Sequence, residues 1–293
     1  EQNYRSTGNI LAAANAVISK NPGRKAKNLW SDAGPGELLV GYVADSEYDE
    51  AQFVADEIDR LTDEGHSWND FAVFYRANAQ SRALEEILIR VGISYRVVGG
   101  TKFYDRKEIK DALAYLRVLE NPDDDVSMRR IFNVPKRGLG DRAEAAISVF
   151  AQQERISFGA AVSRSAEIVG LGPRAVKPLA QFNELLGGLR DFAATGAGAG
   201  QVLAEVLERS GYLEQLRGSL DPTEQVRVEN LDELYSVASE FAEGNPDAGL
   251  GGFLEATALH SATDDMAVDE DQGQVTLMTL HTAKGLECPV VFL

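Results

Sequence analysis

Cysteine is almost absent: Cys288 stands alone in 293 residues. One thiol can form neither an internal disulfide nor a Cys-based zinc site, which suits a fold held by packing in a reducing cytoplasm. Histidine is as scarce, with His66, His260 and His281 widely separated, and no metal cluster is expected from them. No apolar run approaches the roughly 20 residues that a bilayer span needs, and no basic-apolar leader opens the chain, so no membrane is expected. Also missing is any Gly-x-x-x-x-Gly-Lys-Ser/Thr, the loop whose backbone N–H groups wrap a triphosphate. The chain starts without Met and stops inside an apolar stretch at Leu293, which gives it the look of a piece of a longer protein. Without a phosphate loop, such a piece is not expected to hydrolyse a nucleoside triphosphate alone.

What is present belongs to a soluble globular protein, with 44% hydrophobic and 26% charged residues. The net charge of −17 argues globally against nucleic acid, yet its distribution does not. Between Asp221 and Gln272 fourteen Asp and Glu face the single Arg227, which supplies most of the excess. Arg129, Arg130, Lys136, Arg137 and Arg142 crowd one short stretch against Asp141 alone. Phosphate contact needs a local basic patch rather than a basic protein. The acidic stretch reads as a solvated helical face, or alternatively as a surface for a protein partner.

Residues 1–120 alternate strand and helix signals. Ser6 or Thr7 can cap a helix through Ile10, Leu11, Ala14, Val17 and Ile18. Leu38–Val43 is a strand candidate, and Ser46 caps a helix whose Phe53, Val54, Ile58 and Leu61 share a face. Phe71–Tyr75 reads as a buried strand, Leu84–Val91 as a helix stripe, and Ser94–Val98 as a short strand closed by Gly99-Gly100. Alternation of this kind implies a parallel sheet with helices on its faces. From 121 to 272 the strand signals vanish and helical stripes follow one another, punctuated by Gly, Pro and Asn. Strand character returns at Gln274–Thr279. The expected organisation is therefore α/β over 1–120, an all-helical insertion over 121–272, and returning α/β strands over 273–293.

Four short segments carry chemistry. Tyr4-Arg5 offers a flat aromatic face beside a planar fork of donors. Tyr75-Arg76-Ala77-Asn78 sits where a strand ends and a helix begins, a place where free N–H groups attract anions. Lys136-Arg137-Gly138-Leu139-Gly140 sets a Gly-x-Gly turn with two cations before a helix expected to be capped by Asp141. Thr279-Leu280-His281-Thr282-Ala283-Lys284-Gly285-Leu286-Glu287 is a polar, Gly-containing turn between two apolar runs. Phe103 and Tyr104 could serve as core anchors or as base-stacking groups, with core favoured for at least one. The mixed charges of Arg106–Asp111 are read as structural, bracing a hinge.

Segment 279–289 resembles motif V, and Gln2-Asn3-Tyr4-Arg5-Ser6-Thr7 resembles motif IV, of superfamily 1 DNA helicases of the UvrD/PcrA/Rep type. The resemblance covers essentially the whole chain, although it is weak over 143–260. It implies a RecA-like parallel sheet of the P-loop NTPase class, without its P-loop, interrupted by an all-helical subdomain. It implies that Tyr4 stacks on adenine and Arg5 reaches the γ-phosphate as an arginine finger, the one catalytic residue here. Gln2 positions that turn, while Gly285 admits close backbone approach and Glu287 accepts from a ribose hydroxyl. Arg76, Asn78, Thr279, His281, Thr282 and Lys284 fall on a single-stranded DNA track, with Arg82 a weaker candidate. Lys136, Arg137, Gly138, Leu139 and Gly140 resemble the Gly-hydrophobic-Gly element that grips duplex DNA. ATP and Mg²⁺ are the implied cofactors, both bound mainly through a first core that this chain lacks. Single-stranded and duplex DNA are the implied partners, with repair or transcription proteins beyond them. Cys288 departs from the Phe usual in the family, a matter of local packing. The rival readings make the helical insertion chiefly a protein-interaction module, or the parent a helicase–nuclease.

Overall fold

The computed structural model describes residues 2–22, 29–263, 273–283 and 286–293. Helix α1 (Gly8–Ser19) follows Thr7, which stands at the N-cap position without a side-chain cap bond. Helix α2 (Glu47–Asp63) is capped as its sequence demands. The Ser46 hydroxyl accepts from the Asp49 amide at 3.2 Å, acids fill the first turn, and Arg60 lies in the last. Strand β1 (Phe71–Tyr75), helix α3 (Ser81–Val91) and strand β2 (Tyr95–Val98) complete this part. Gly92 ends α3 at φ 81°, a left-handed turn that the missing Cβ makes inexpensive.

The helical series runs α4 (Lys107–Glu120), α5 (Asp125–Ile131), α6 (Asp141–Glu154), α7 (Phe158–Ser163), α8 (Pro173–Ala193), α9 (Ala199–Arg209), α10 (Tyr212–Arg217), α11 (Pro222–Gly244) and α12 (Gly249–Thr263). Two strands close the chain, β3 (Val275–Thr279) and β4 (Val290–Phe292). All pairings are parallel, in the order β2-β3-β1-β4. The register sets Ala72 opposite Thr276, Arg96 opposite Thr276 on the other side, and Phe71 opposite Val290.

Apolar packing falls into two clusters. One joins α2, α3 and the sheet through Ile58, Phe71, Ile87, Leu88, Val275 and Leu277. The other runs from Phe103 to Leu254 and includes the α4 residues Ile109, Tyr115 and Leu116. Helix α4, counted with the α/β part in the sequence reading, thus contributes its buried side to the helical cluster. Both Phe103 and Tyr104 are buried, edge to face with centroids 5.1 Å apart.

One expected element is not formed. Leu38–Val43 forms no strand and is unpaired among the described residues, and Leu38, Val40 and Val43 are exposed by 80% or more, at 82%, 81% and 93%. A strand needs a neighbour to take its backbone bonds, and no described strand pairs with this one. Only Tyr42 is held, stacked on Phe53 at 4.1 Å.

Truncating Leu277, fully buried between two strands, should cost roughly 2–5 kcal/mol in this chain. The same change at Val43 should cost under about 0.5 kcal/mol. Urea denaturation of Leu277→Ala and Val43→Ala measures both, and equal losses would contradict the described packing.

Candidate functional site

The two ends of the chain meet. Arg5 Nε donates to Glu287 Oε1 at 2.5 Å across 282 positions, and both side chains remain about half exposed or more, at 52% and 64%. The turn that presents Arg5 is built by Asn3, whose Oδ1 accepts from the amides of Arg5 at 2.9 Å and Ser6 at 2.8 Å. Asn3 is in turn fixed to the chain by its own amide, which donates to the Trp30 carbonyl. Gln2 donates to Asp32 at 2.7 Å and accepts from the Tyr4 hydroxyl at 2.9 Å. The Tyr4 ring is 86% exposed, an open aromatic face beside a guanidinium. Glu287 spends one carboxylate oxygen on Arg5 in this structure. Gly285 and Lys284 lie outside the described residues.

A second grouping lies at the carboxyl ends of β1, β2 and β3, where loops of parallel α/β sheets gather ligand groups. Arg76 follows β1 directly and is exposed. Gln80 Oε1 accepts from the amides of Arg76 at 3.0 Å and Ala77 at 2.9 Å, which closes the turn into α3. Thr279 and Thr282 share a hydroxyl bond of 3.0 Å, and the Thr282 amide donates to the Thr279 carbonyl. His281 is exposed rather than buried. Gly99, at φ 78°, lies so close to Thr282 that a Cβ there would meet its methyl at 2.9 Å. A Cβ on Gly100 would stand 3.9 Å from Asn78 Oδ1. The structure therefore brings Asn78, Thr279 and Thr282 together around the glycine pair.

The Gly-x-Gly loop is organised from inside. Arg137 Nη1 donates to the carbonyls of Ile131 at 3.0 Å, Val134 at 2.9 Å and Pro135 at 3.3 Å, while Nη2 donates to the Tyr115 hydroxyl. Its guanidinium also lies over the Phe182 ring at 4.7 Å. Tyr115 donates onward to the Val134 carbonyl, and burial pushes its hydroxyl up to about 12 against the nearby Arg137 charge. Asn133 Oδ1 accepts from the Arg137 and Leu139 amides, and Leu139 is buried. Gly140, not Asp141, occupies the N-cap of α6, and Asp141 is the first helical residue; the expected side-chain cap is absent because glycine has no side chain to offer and Asp141 already lies inside the helix. Arg129 pairs with Glu144 at 2.9 Å and Arg130 with Asp111 at 2.8 Å. Among the described residues, Lys136 and Arg142 remain as the exposed cations of this patch without a pairing.

Arg82 is fully buried. It pairs with Glu86 at 3.0 Å, with Glu233 at 2.5 Å and with Glu47, and donates to the Tyr48 hydroxyl. Buried against three carboxylates it offers nothing to a strand, a commitment that its position at a helix start does not reveal. Sequence reasoning also gave Asn133 no role, although its partners lie four and six residues on, and missed Tyr115, which folding brings to Arg137 from 22 positions away.

This geometry defines a class: an α/β protein with a RecA-like parallel sheet, ligand-facing loops at its strand ends, and a helical unit between β2 and β3. The chain belongs to the UvrD-like helicase C-terminal domain family, which matches residues 1–163 and 177–293. It is 53% identical over its whole length to an ATP-dependent DNA helicase UvrD1 of Mycobacterium tuberculosis, and 52% identical to that of Mycobacterium leprae. It is 43% identical to an ATP-dependent DNA helicase PcrA of Bacillus subtilis, again over the whole chain. The chain spans 40% of the length of each of these relatives.

Removing Arg137 takes a donor from three carbonyls, of which Ile131 and Val134 keep another from the Val134 amide and the Tyr115 hydroxyl, and strips the contact with the Phe182 ring, so Arg137→Ala should destabilise the chain by about 1–3 kcal/mol. Lys136→Ala should change stability by less than about 0.5 kcal/mol. Thermal denaturation of the two variants separates the inward cation from the outward one.

Proposed function

We propose that the chain is the second RecA-like core and inserted helical subdomain of a cytoplasmic, ATP-dependent DNA helicase that moves 3′-to-5′ on single strands and unwinds duplex. The observation that carries this reading is the pairing of Arg5 with Glu287 beside the open Tyr4 ring. An exposed ion pair is weak, and a terminal phosphate offers more negative charge than one carboxylate. Arg5 can therefore leave Glu287 for a γ-phosphate, which frees Glu287 for a ribose hydroxyl while Tyr4 takes the adenine. Among the described residues no group of three His, Cys, Asp or Glu is placed to hold a metal. Mg²⁺ and the phosphate loop belong in this reading to the first core, as the family resemblance implies.

Single-strand contact falls to Arg76, Asn78, Thr279, His281 and Thr282, mostly neutral donors that read a backbone without reading sequence. Duplex contact falls to Lys136 and Arg142 with the N–H groups around Gly138 and Gly140, while Arg137 holds the loop that presents them. The helical unit lies between β2 and β3 and is proposed as a subdomain within 99–274. Contacts with repair or transcription proteins belong to the same proposal, with the acidic face of α11 as the surface.

In the full-length protein, Arg5→Ala should lower kcat of DNA-stimulated ATP hydrolysis on the order of a thousandfold with KM for ATP little changed. Tyr4→Ala should mainly raise that KM, by about tenfold. An unchanged kcat in folded Arg5→Ala protein would sink the finger assignment. For the duplex grip, Lys136→Ala/Arg142→Ala should weaken tailed-duplex binding and flatten its log–log salt dependence by about 2. Binding and slope both unaltered would make the helical unit a protein-docking module instead.

A further inference from the structure

Arg106 is a buried cation that the proposed function leaves unused. Its donors reach three separate stretches of chain. Nη2 donates to the Asn78 carbonyl at 3.1 Å and to Ser81 Oγ at 2.8 Å, at the turn that follows Arg76. Nη1 donates to Asn230 Oδ1 at 2.9 Å on α11, and Nε to the Thr101 carbonyl at 3.3 Å, just past the glycine pair. The guanidinium lies 5.1 Å from the Phe103 ring centre. Among the described residues the one carboxylate paired with it, Glu85, stands at 3.8 Å. Asn230 continues the chain of bonds by donating to Glu108 at 2.6 Å, which Arg227 approaches at 3.7 Å.

This is a costly way to hold a protein together. A buried guanidinium whose bonded acceptors are all neutral gains little over apolar packing of the same volume. Burial pulls its pKa below the usual guanidinium range, with Glu85 opposing. What the planar fork supplies is geometry: fixed donor directions that only one arrangement of the turn, the post-β2 loop and α11 can satisfy. Lysine, a point charge on a flexible stem, cannot reproduce it.

We propose that Arg106 is a positioning residue that holds the Arg76–Gln80 turn in register with α11, so that the single-strand track and the helical unit respond to DNA together. This rests on the reading of Arg76 and Asn78 as part of the track. Arg106 itself touches no DNA, and its effect passes through the Asn78 carbonyl and the Ser81 hydroxyl.

The test uses full-length protein, fluorescent oligodeoxythymidylate, and the variants Arg76→Ala, Arg106→Lys, Asn230→Ala and the Arg106→Lys/Asn230→Ala double. Arg76→Ala should weaken binding and lower the salt slope by about 0.7, the loss of one phosphate contact. Arg106→Lys and Asn230→Ala should each weaken binding about five- to tenfold with the salt slope unchanged, and the double variant should be no worse than the weaker single. Hydrogen exchange at the amides of residues 78–81 should quicken in both single variants. A bracing role confined to stability would lower the melting temperature and leave the affinity of the folded protein intact. Affinity unchanged in folded Asn230→Ala and Arg106→Lys, with Arg76→Ala still weakened, overturns the positioning role alone. Affinity unchanged in Arg76→Ala removes the track reading beneath it.

Discussion

The α/β half depends on one strand arriving from far along the chain. Strand β3 is hydrogen-bonded on both sides, to β1 and to β2, and its Thr276 sits beside Arg96 from 180 positions earlier. Val275, Leu277 and Met278 of this strand are nearly inaccessible to solvent, so without it β1 and β2 would face each other across an empty slot. Parallel neighbours need a crossover, commonly a single helix. Here the crossover between β2 and β3 is the entire helical unit. It leaves from the carboxyl end of β2, at Gly99-Gly100, against the residues that form the candidate strand track. Any element that grips DNA within the helical unit is thus tethered at the place where the single strand is proposed to pass.

Three arginines hold that tether and its surroundings by pointing inward. Arg82 binds carboxylates of α2, α3 and α11, Arg106 binds neutral oxygens on both sides of the α/β-to-helical boundary, and Arg137 binds its own loop. The first is an electrostatic clasp, in which removal of the cation would leave Glu86 buried and uncompensated. The other two are geometric, since each spends its fork on carbonyl or amide oxygens whose positions it then fixes. A sequence rich in arginine at strand and helix ends looks like a phosphate surface, and here much of that charge is structural.

This difference marks what could be read in advance. Period and capping were legible: Ser46 before an acidic first turn, the apolar run Phe71–Tyr75, and the return of strand character at 274 all correspond to formed elements. The pairing of Arg5 with Glu287 fits the resemblance of the two chain ends to one family's motifs, although residues 282 positions apart give no local sign of meeting. Illegible were the partners. Leu38–Val43 has strand composition, but composition cannot supply a neighbouring edge, and the segment stays unpaired. Arg82 and Arg137 were indistinguishable from exposed cations because what each bonds to is decided by the fold, α11 burying Arg82 and Tyr115 turning the half-buried Arg137 inward. The order β2-β3-β1-β4 is likewise set by the tertiary fold and by no local pattern.

The same accounting reconciles an acidic chain with the proposed DNA-binding role. With −17 overall, long-range attraction to DNA cannot be the main source of affinity. Once the paired and buried arginines are set aside, the cations open at the candidate contacts among the described residues are Arg76, Lys136 and Arg142, with Arg5 held by Glu287. So few charges must be supplemented by neutral donors: Thr279 and Thr282 at the strand ends, and backbone N–H groups at Gly138 and Gly140. Neutral donors give weaker bonds than charge-assisted ones and tolerate less error in distance and angle. An interface built from them depends on the accuracy with which its loops are held, so under the proposed function the inward-facing Arg106 and Arg137 bear on recognition as directly as the residues proposed to face DNA.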